Sequence, residues 1–139
     1  MNFLRNLFRS SQQEKKEDEE DIVVLPGHNE FKLEVVGESY YQDSLTILAQ
    51  RYGIKKDVTA RLVMEDENPK DKNAVRVEID GNQVGYLSKE VAKIFRGILI
   101  DNKHPHGIGE CQARIFGGYV KDGKKTSYGV WLDIPVEFS

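Results

Sequence analysis

The chain has 139 residues, 39% of them apolar and 31% charged, which suits one compact domain with a single core rather than two domains. No apolar run approaches the length of a membrane span and no signal-peptide pattern is present, so we expect no membrane partner. The single cysteine, Cys111, excludes an internal disulfide framework and is typical of the reducing cytoplasm, while a net charge of −3 argues against a protein that coats duplex DNA.

The first 21 residues differ in composition from the rest. Residues 3–8 contain four apolar side chains at helical spacing, which indicates either a helix that binds a membrane surface or a partner, or a short helix that frays. The short length favours the second interpretation. Residues 14–21 then hold six acids and two lysines, which is typical of a solvated linker. We therefore expect residues 1–21 to form a tail and residues 22–139 to form the domain.

The first part of the domain predicts a strand, a helix and a second strand. Residues 31–37 alternate between apolar and polar side chains, which predicts a half-buried strand. Asp43 and Ser44 then begin a short helix that ends at Gly53. Residues 58–64 predict the second strand.

A hairpin and a second helix follow. Residues 74–79 and 83–87 read as paired strands, because residues 80–82 (Asp-Gly-Asn) tolerate the positive φ angles that a tight turn needs. Ser88 is a suitable N-cap for a helix that has an apolar stripe and fades near Asp101.

Two longer strands end the chain. Residues 110–120 and 126–136 predict strands, and residues 121–125 predict the hairpin that joins them. No strand–helix–strand series repeats, so a parallel sheet is disfavoured. We predict a mainly β protein, in which an antiparallel sheet curls into a barrel and two short α-helices accompany it.

The most unusual segment is the polar loop, residues 65–74, which holds four carboxylates, two asparagines and a proline. Its spacing does not fit an EF-hand. One interpretation is a rigid ligand-binding loop, in which Asn68-Pro69 fixes the backbone and Asp71 and Asn73 point at a ligand. A second is a solvated loop whose side chains bond their own backbone, and composition alone favours this one. A third is a metal-dependent nuclease using Asp66 and Asp71, for which the remaining machinery is missing.

Other chemistry finds little support in the sequence. His104 and His106 with Cys111 suggest zinc, but a structural site needs four ligands and no second pair appears, so a surface loop is favoured. Cys111 falls in a predicted strand and is expected to be a core thiol. No serine nucleophile motif and no phosphate-binding loop is present. We expect no catalytic residues, no metal and no cofactor.

The aromatic residues are more informative, because exposed rings near lysine or arginine on a small barrel suit single-stranded nucleic acid. Tyr40 and Tyr41 are adjacent, so in a strand one would face the core and the other would face solvent. Tyr86 belongs to the predicted hairpin. The last two strands carry four more rings: Phe116, Tyr119, Tyr128 and Trp131. Most of these rings are expected to fill the core.

Three motifs in fixed order carry a family resemblance. They are Val35-Val-Gly37 with Tyr40-Tyr41, then Asn68-Pro-x-Asp71-x-Asn-Ala74-Val, then Asn82-Gln-Val-Gly-Tyr-Leu87. With the helix after Ser88, residues 31–101 resemble the HIRAN domain, which occurs in helicase-like chromatin remodellers and as stand-alone bacterial or phage proteins. The resemblance implies an OB-like barrel that captures the 3′ end of single-stranded DNA. No ATPase or RING motif is present, so no remodelling activity is implied.

The resemblance also implies a binding site. The tyrosines that hold the terminal nucleotides correspond to Tyr40 and Tyr41, and the polar loop contributes Asn68 and Asp71. A carboxylate accepts a hydrogen bond from a free 3′ hydroxyl and repels a 3′ phosphate. To these we add Asn73 of the same loop.

Two positions depart from the DNA-binding relatives. Ser39 replaces a basic residue, and Tyr86 replaces a histidine, so Tyr86 is able to stack but carries no positive charge. Both changes weaken phosphate binding. Lys70, Lys72 and Lys89 are expected to compensate in part for the lost positive charge.

Two hypotheses therefore remain. The first is a non-catalytic module that binds single-stranded DNA 3′ ends. The second is a protein-interaction module that uses the same groove for a peptide or protein partner and binds no nucleic acid. The sequence leaves the oligomeric state open.

Overall fold

A computed structural model describes residues 20–135 of the chain. Most of the tail expected at residues 1–21 therefore lies outside the described residues, and that expectation stays a prediction. The elements, in chain order, are β1 (Ile22–Val24), β2 (Leu33–Glu34), a 3-10 turn (Glu38–Tyr41), α1 (Gln42–Tyr52), β3 (Val58–Met64), β4 (Val75–Ile79), β5 (Asn82–Tyr86), α2 (Lys89–Asp101), β6 (Ile108–Phe116), β7 (Val120–Lys121), β8 (Lys124–Lys125) and β9 (Gly129–Asp133).

The main sheet has the strand order β2-β9-β6-β3-β4-β5, and every neighbouring pair along this path is antiparallel. β1 adds to β6 in parallel, and β7 and β8 form a separate two-stranded sheet. The prediction of a mainly β fold with an antiparallel sheet and two helices is confirmed. Neither helix within residues 20–135 is long and apolar enough to cross a bilayer.

The two ends of the main sheet meet at the segment that follows β2. The amide of Val35 donates a hydrogen bond to the carbonyl of Val130 in β9, at 3.0 Å. The next residue, Val36, pairs instead with Tyr86 of β5 through two backbone hydrogen bonds of 2.8 and 2.9 Å. The segment that continues the edge strand β2 thus also pairs with β5 at the opposite edge, so the sheet curls into a barrel closed by the bridge between Val36 and Tyr86.

This closure depends on a close approach of two backbones at Gly85. A Cβ atom at that position would lie 2.4 Å from Cγ1 of Val35 and 2.6 Å from the carbonyl oxygen of Val36. Such contacts are shorter than side chains adopt, so only glycine lets β5 reach the segment after β2.

The core lies inside the curled sheet and under α2. β4 alternates between buried and half-buried residues, as its sequence pattern predicts. In α2, Val91, Phe95 and Leu99 are buried, and the Ser88 hydroxyl caps the helix by accepting the amide of Val91 at 3.3 Å. The predicted core thiol of Cys111 is confirmed: it is buried, and desolvation, aided by nearby carboxylates, raises its pKa to about 12.

Three predicted strands were too long. Within the predicted strand 31–37, Phe31 has a φ of 51°, so pairing is limited to β2, Val35 and the bridge at Val36. The predicted strand 110–120 ends at Phe116, because Gly117 and Gly118 take φ angles of 99° and 74° and turn the chain away. The predicted strand 126–136 is shortened to β9 within the described residues.

Replacing Gly85 by alanine tests the closure of the barrel. We expect Gly85→Ala to lower the free energy of unfolding by about 1–3 kcal/mol, because the new methyl group forces Val35 and Val36 to move. The matched control is Gly97→Ala in α2, where an added Cβ meets nothing within 4 Å. This control should leave the free energy of unfolding unchanged or raise it by up to about 1 kcal/mol. Urea unfolding followed by circular dichroism measures both, and a Gly85 variant as stable as the parent would contradict the closure.

Candidate functional site

A groove of about 600 Å³ lies beside the barrel closure. Its walls are the 3-10 turn, the polar loop (residues 65–74) and the chain that runs from β5 into α2. Five of the six residues predicted for the site line this groove: Tyr40, Tyr41, Asn68, Asp71 and Tyr86. The fold therefore brings together residues that are up to 46 positions apart in the chain.

The 3-10 turn presents the two tyrosines differently. Gly37 enters the turn with a φ of 77°, and its carbonyl accepts the amide of Tyr40 at 3.2 Å. The side chain of Tyr40 is 86% exposed, whereas Tyr41 is half-buried. Burial raises the pKa of the Tyr41 hydroxyl, and the neighbouring Tyr86 and Glu65 add to the rise. Residues 38–41 form a 3-10 turn rather than a strand, because the chain turns directly after it has closed the barrel.

Asn68 and Asp71 shape the polar loop through bonds to its own backbone. The Oδ1 atom of Asn68 accepts the amides of Lys70 and Asp71, at 2.8 and 3.1 Å. The Oδ1 atom of Asp71 accepts the amide of Asn73 at 2.9 Å. These bonds are those expected of an ordinary turn, and they also fix the wall of the groove. The Oδ2 atom of Asp71 has no hydrogen-bond partner among the described residues, so it remains available to a ligand.

A hydrogen-bond network centred on Glu65 joins this loop to β5. The Oε1 atom of Glu65 accepts both the Tyr86 hydroxyl, at 3.0 Å, and the amide Nδ2 of Asn68, at 2.9 Å. Its Oε2 atom lies 3.4 Å from Nη1 of Arg76. Only 19% of the Glu65 side chain is exposed, so the carboxylate holds two groove residues in place with little competition from water. Sequence reasoning missed Glu65, which looked like one acid among several.

Asn73 is the predicted site residue that does not line the groove. Its side chain is exposed, and its carbonyl accepts Nε of Arg96 in α2 at 2.8 Å. Arg96 also donates to the carbonyl of Ala74, at 2.9 Å, and to Asp66, at 2.7 Å. Arg96 therefore clamps the polar loop to α2 and directs Asp66 away from the groove. Its side chain is only 14% exposed, and no motif in the sequence had marked it.

The groove carries a weakly positive charge. Its charged lining residues are Lys70, Lys89 and Asp71, while Lys72 lies elsewhere on the loop. Ser39 is exposed and adds no charge. Two of the three lysines expected to compensate for the missing positive charge, Lys70 and Lys89, thus line the groove.

The metal ligands considered from the sequence do not come together within the residues that the structure describes. Residues 20–135 contain no group of three or more histidine, cysteine or acidic side chains arranged to hold a metal ion. His104 bonds Asp21, with Nδ1 2.8 Å from the carboxylate, and Cys111 is buried. A separate cleft of about 550 Å³, which borders β3 and the Asp80-Gly81 turn, contains several carboxylates. Arginines neutralise them, as in the Asp80–Arg51 and Glu110–Arg61 pairs.

Replacing Glu65 tests whether it organises the groove. Glu65→Ala leaves the Tyr86 hydroxyl and the Asn68 amide without their acceptor, so we expect the free energy of unfolding to fall by about 1–3 kcal/mol. The side-chain amide protons of Asn68 should also exchange faster with solvent, as measured by NMR. The control is Glu67→Ala, an exposed acid on the same loop, which should change the free energy by less than about 0.5 kcal/mol. Slow Asn68 exchange in the Glu65 variant would contradict this role.

Comparison with known proteins adds an independent finding. The model of the HIRAN domain family matches residues 28–127. The chain is similar to the helicase-like transcription factor of Oryctolagus cuniculus, with 39% identity over 81 residues, which is 58% of this chain and 6% of that protein.

Two solved structures are also similar. The crystal structure of the HIRAN domain of human HLTF is 25% identical to this chain, with a TM-score of 0.38, and the match covers 78% of this chain and 80% of that one. The NMR structure of the HLTF HIRAN domain is 26% identical, with a TM-score of 0.36, and the match covers 77% of this chain and 76% of that one. Since the family model matches more than half of its residues, the chain belongs to the HIRAN domain family.

Proposed function

We propose that this protein is a non-catalytic module that binds the 3′ end of single-stranded DNA in the groove. One observation carries the proposal: the exposed ring of Tyr40 and the carboxylate of Asp71 line the same groove. A flat ring and an acceptor in one groove match the two features that distinguish a free 3′ end, which are an unstacked base and a hydroxyl group. Membership of the HIRAN family supports the same ligand.

The tyrosines are proposed to hold the terminal bases. Tyr40 is 86% exposed, so its ring is free to stack on a base, and such stacking contributes about 1–3 kcal/mol per base. The hydrogen bond from the Tyr86 hydroxyl to Glu65 fixes the orientation of the Tyr86 ring. The ring therefore loses little conformational entropy when a base binds.

Asp71 is proposed to select the free hydroxyl. Its Oδ1 atom is engaged by the loop, and its Oδ2 atom is the acceptor for the 3′ hydroxyl. A 3′ phosphate would bring negative charge against this carboxylate and would be repelled. Lys70 and Lys89 are then the cations available to two internal phosphates of the strand. With only two such contacts, the affinity of a short strand should depend weakly on salt. We expect a slope of about −1.4 when the logarithm of the binding constant is plotted against the logarithm of the salt concentration.

The direct test compares oligonucleotides of about four nucleotides that end in a 3′ hydroxyl or a 3′ phosphate, by fluorescence anisotropy at low and moderate salt. We expect the hydroxyl form to bind at least about tenfold more tightly. Asp71→Asn keeps an acceptor for the Asn73 amide but removes the charge, so it should abolish most of this preference. Glu67→Gln removes a charge from the same loop at a position outside the groove, so this variant should keep the preference for the 3′ hydroxyl.

A second pair of variants isolates stacking. Tyr40→Ala should weaken binding of the hydroxyl oligonucleotide by about tenfold, whereas Tyr40→Phe, which keeps the ring, should bind like the parent. Equal binding of both oligonucleotide ends by the parent would contradict end recognition. If neither oligonucleotide binds the folded protein, the groove serves a peptide or protein partner, which is the alternative function.

The proposed setting is the cytoplasm. The one thiol, Cys111, is buried and its pKa is raised to about 12, so it is poorly suited to disulfide formation and needs no oxidising compartment.

A further inference from the structure

A second groove, of about 500 Å³, lies on the outer face of β6 and β9. Its aromatic lining residues are Phe116, Tyr119 and Trp131. Phe116 pairs across the sheet with Gly129, which has no side chain, so the space beside the Phe116 ring stays open. Tyr119 is 61% exposed. The three rings thus border a surface that the core does not use.

A lysine-rich hairpin adjoins this groove. β7 and β8 are joined by Asp122 and Gly123, whose φ angles of 52° and 78° fit a tight two-residue turn. Thr126 and Tyr119 close the base of the hairpin: the Thr126 amide donates to the carbonyl of Tyr119 at 2.8 Å, and the Thr126 hydroxyl oxygen accepts the amide of Tyr119 at 3.2 Å. The hairpin therefore holds Tyr119 in a defined position.

The surroundings of this groove are positively charged. Five exposed lysines lie on the hairpin or in the loop after α1: Lys55, Lys56, Lys121, Lys124 and Lys125. None of the five forms an ion pair with a carboxylate within residues 20–135. The carboxylates nearby are Asp122 in the turn, Glu34 opposite Trp131, Glu38 beside Gly129, and Asp57, which pairs with Arg114. Positive charge concentrates here although the whole chain carries −3.

We propose that this groove and the lysine hairpin form a second contact surface for single-stranded DNA, which binds internal nucleotides rather than the 3′ end. Lysines beside exposed aromatic faces match a strand that alternates phosphates with flat bases. Duplex DNA hides the faces of its bases and so would leave the rings unused. The inference rests on the proposed function only for the class of partner, because it involves none of the residues of the first groove.

The test uses the full chain and a labelled oligonucleotide of about 16 nucleotides. A phosphate blocks its 3′ end, so that the first groove contributes little to the measured affinity. Tyr119→Ala should weaken its binding by about tenfold. The double substitution Lys124→Gln with Lys125→Gln removes two phosphate contacts. It should therefore reduce the magnitude of the slope of log binding constant against log salt concentration by about 1.4. The control, Lys93→Gln with Lys103→Gln, removes the same charge from exposed positions that line neither groove.

The outcomes separate the two proposals. The second surface is established if the hairpin substitutions weaken binding of the blocked strand and Tyr40→Ala leaves that binding unchanged. This conclusion holds even if the first groove binds nothing. Affinity and salt slope that are the same in the hairpin variants, the control and the parent would overturn it. The lysines would then be left to an acidic partner other than single-stranded DNA.

Discussion

The candidate site depends on the backbone bridge between Val36 and Tyr86, which closes the barrel. Because Gly85 lets the two backbones approach, the segment after β2 pairs with β9 through Val35 and with β5 through Val36. The chain must then turn at once, and the 3-10 turn that results places Tyr40 at the edge of the groove. Fold closure and the position of the proposed stacking ring therefore have the same cause.

The polar loop is held from two sides, and this gives the groove a defined shape before any ligand arrives. Glu65 joins Asn68 to Tyr86 from within the sheet, and Arg96 fixes the carbonyls of Asn73 and Ala74 from α2. A site whose residues are already ordered loses less conformational entropy on binding. This organisation matters here because Ser39 adds no charge and the groove has only two lysines to attract phosphate.

Much of the fold could be predicted because its signals are local. The alternation in β4, the Asp80-Gly81 turn and the Ser88 cap each depend on a few neighbouring residues. The closure could not be predicted, since pairing at Val36 depends on β5, some 50 residues later in the chain. Five predicted groove residues came together, most of them named from a family resemblance. Glu65 and Arg96 were missed because ordinary charged residues gain their role only from tertiary contacts.

The central claim is that the first groove receives the end of a DNA strand, and chemical-shift mapping tests it most directly. A short single-stranded oligonucleotide with a free 3′ hydroxyl would be titrated into the ¹⁵N-labelled protein. The account predicts that the largest amide shifts fall on residues 37–41, residues 68–74 and Tyr86, which surround the groove. Shifts confined to other surfaces, or no shifts from a folded protein at high oligonucleotide concentration, would contradict it.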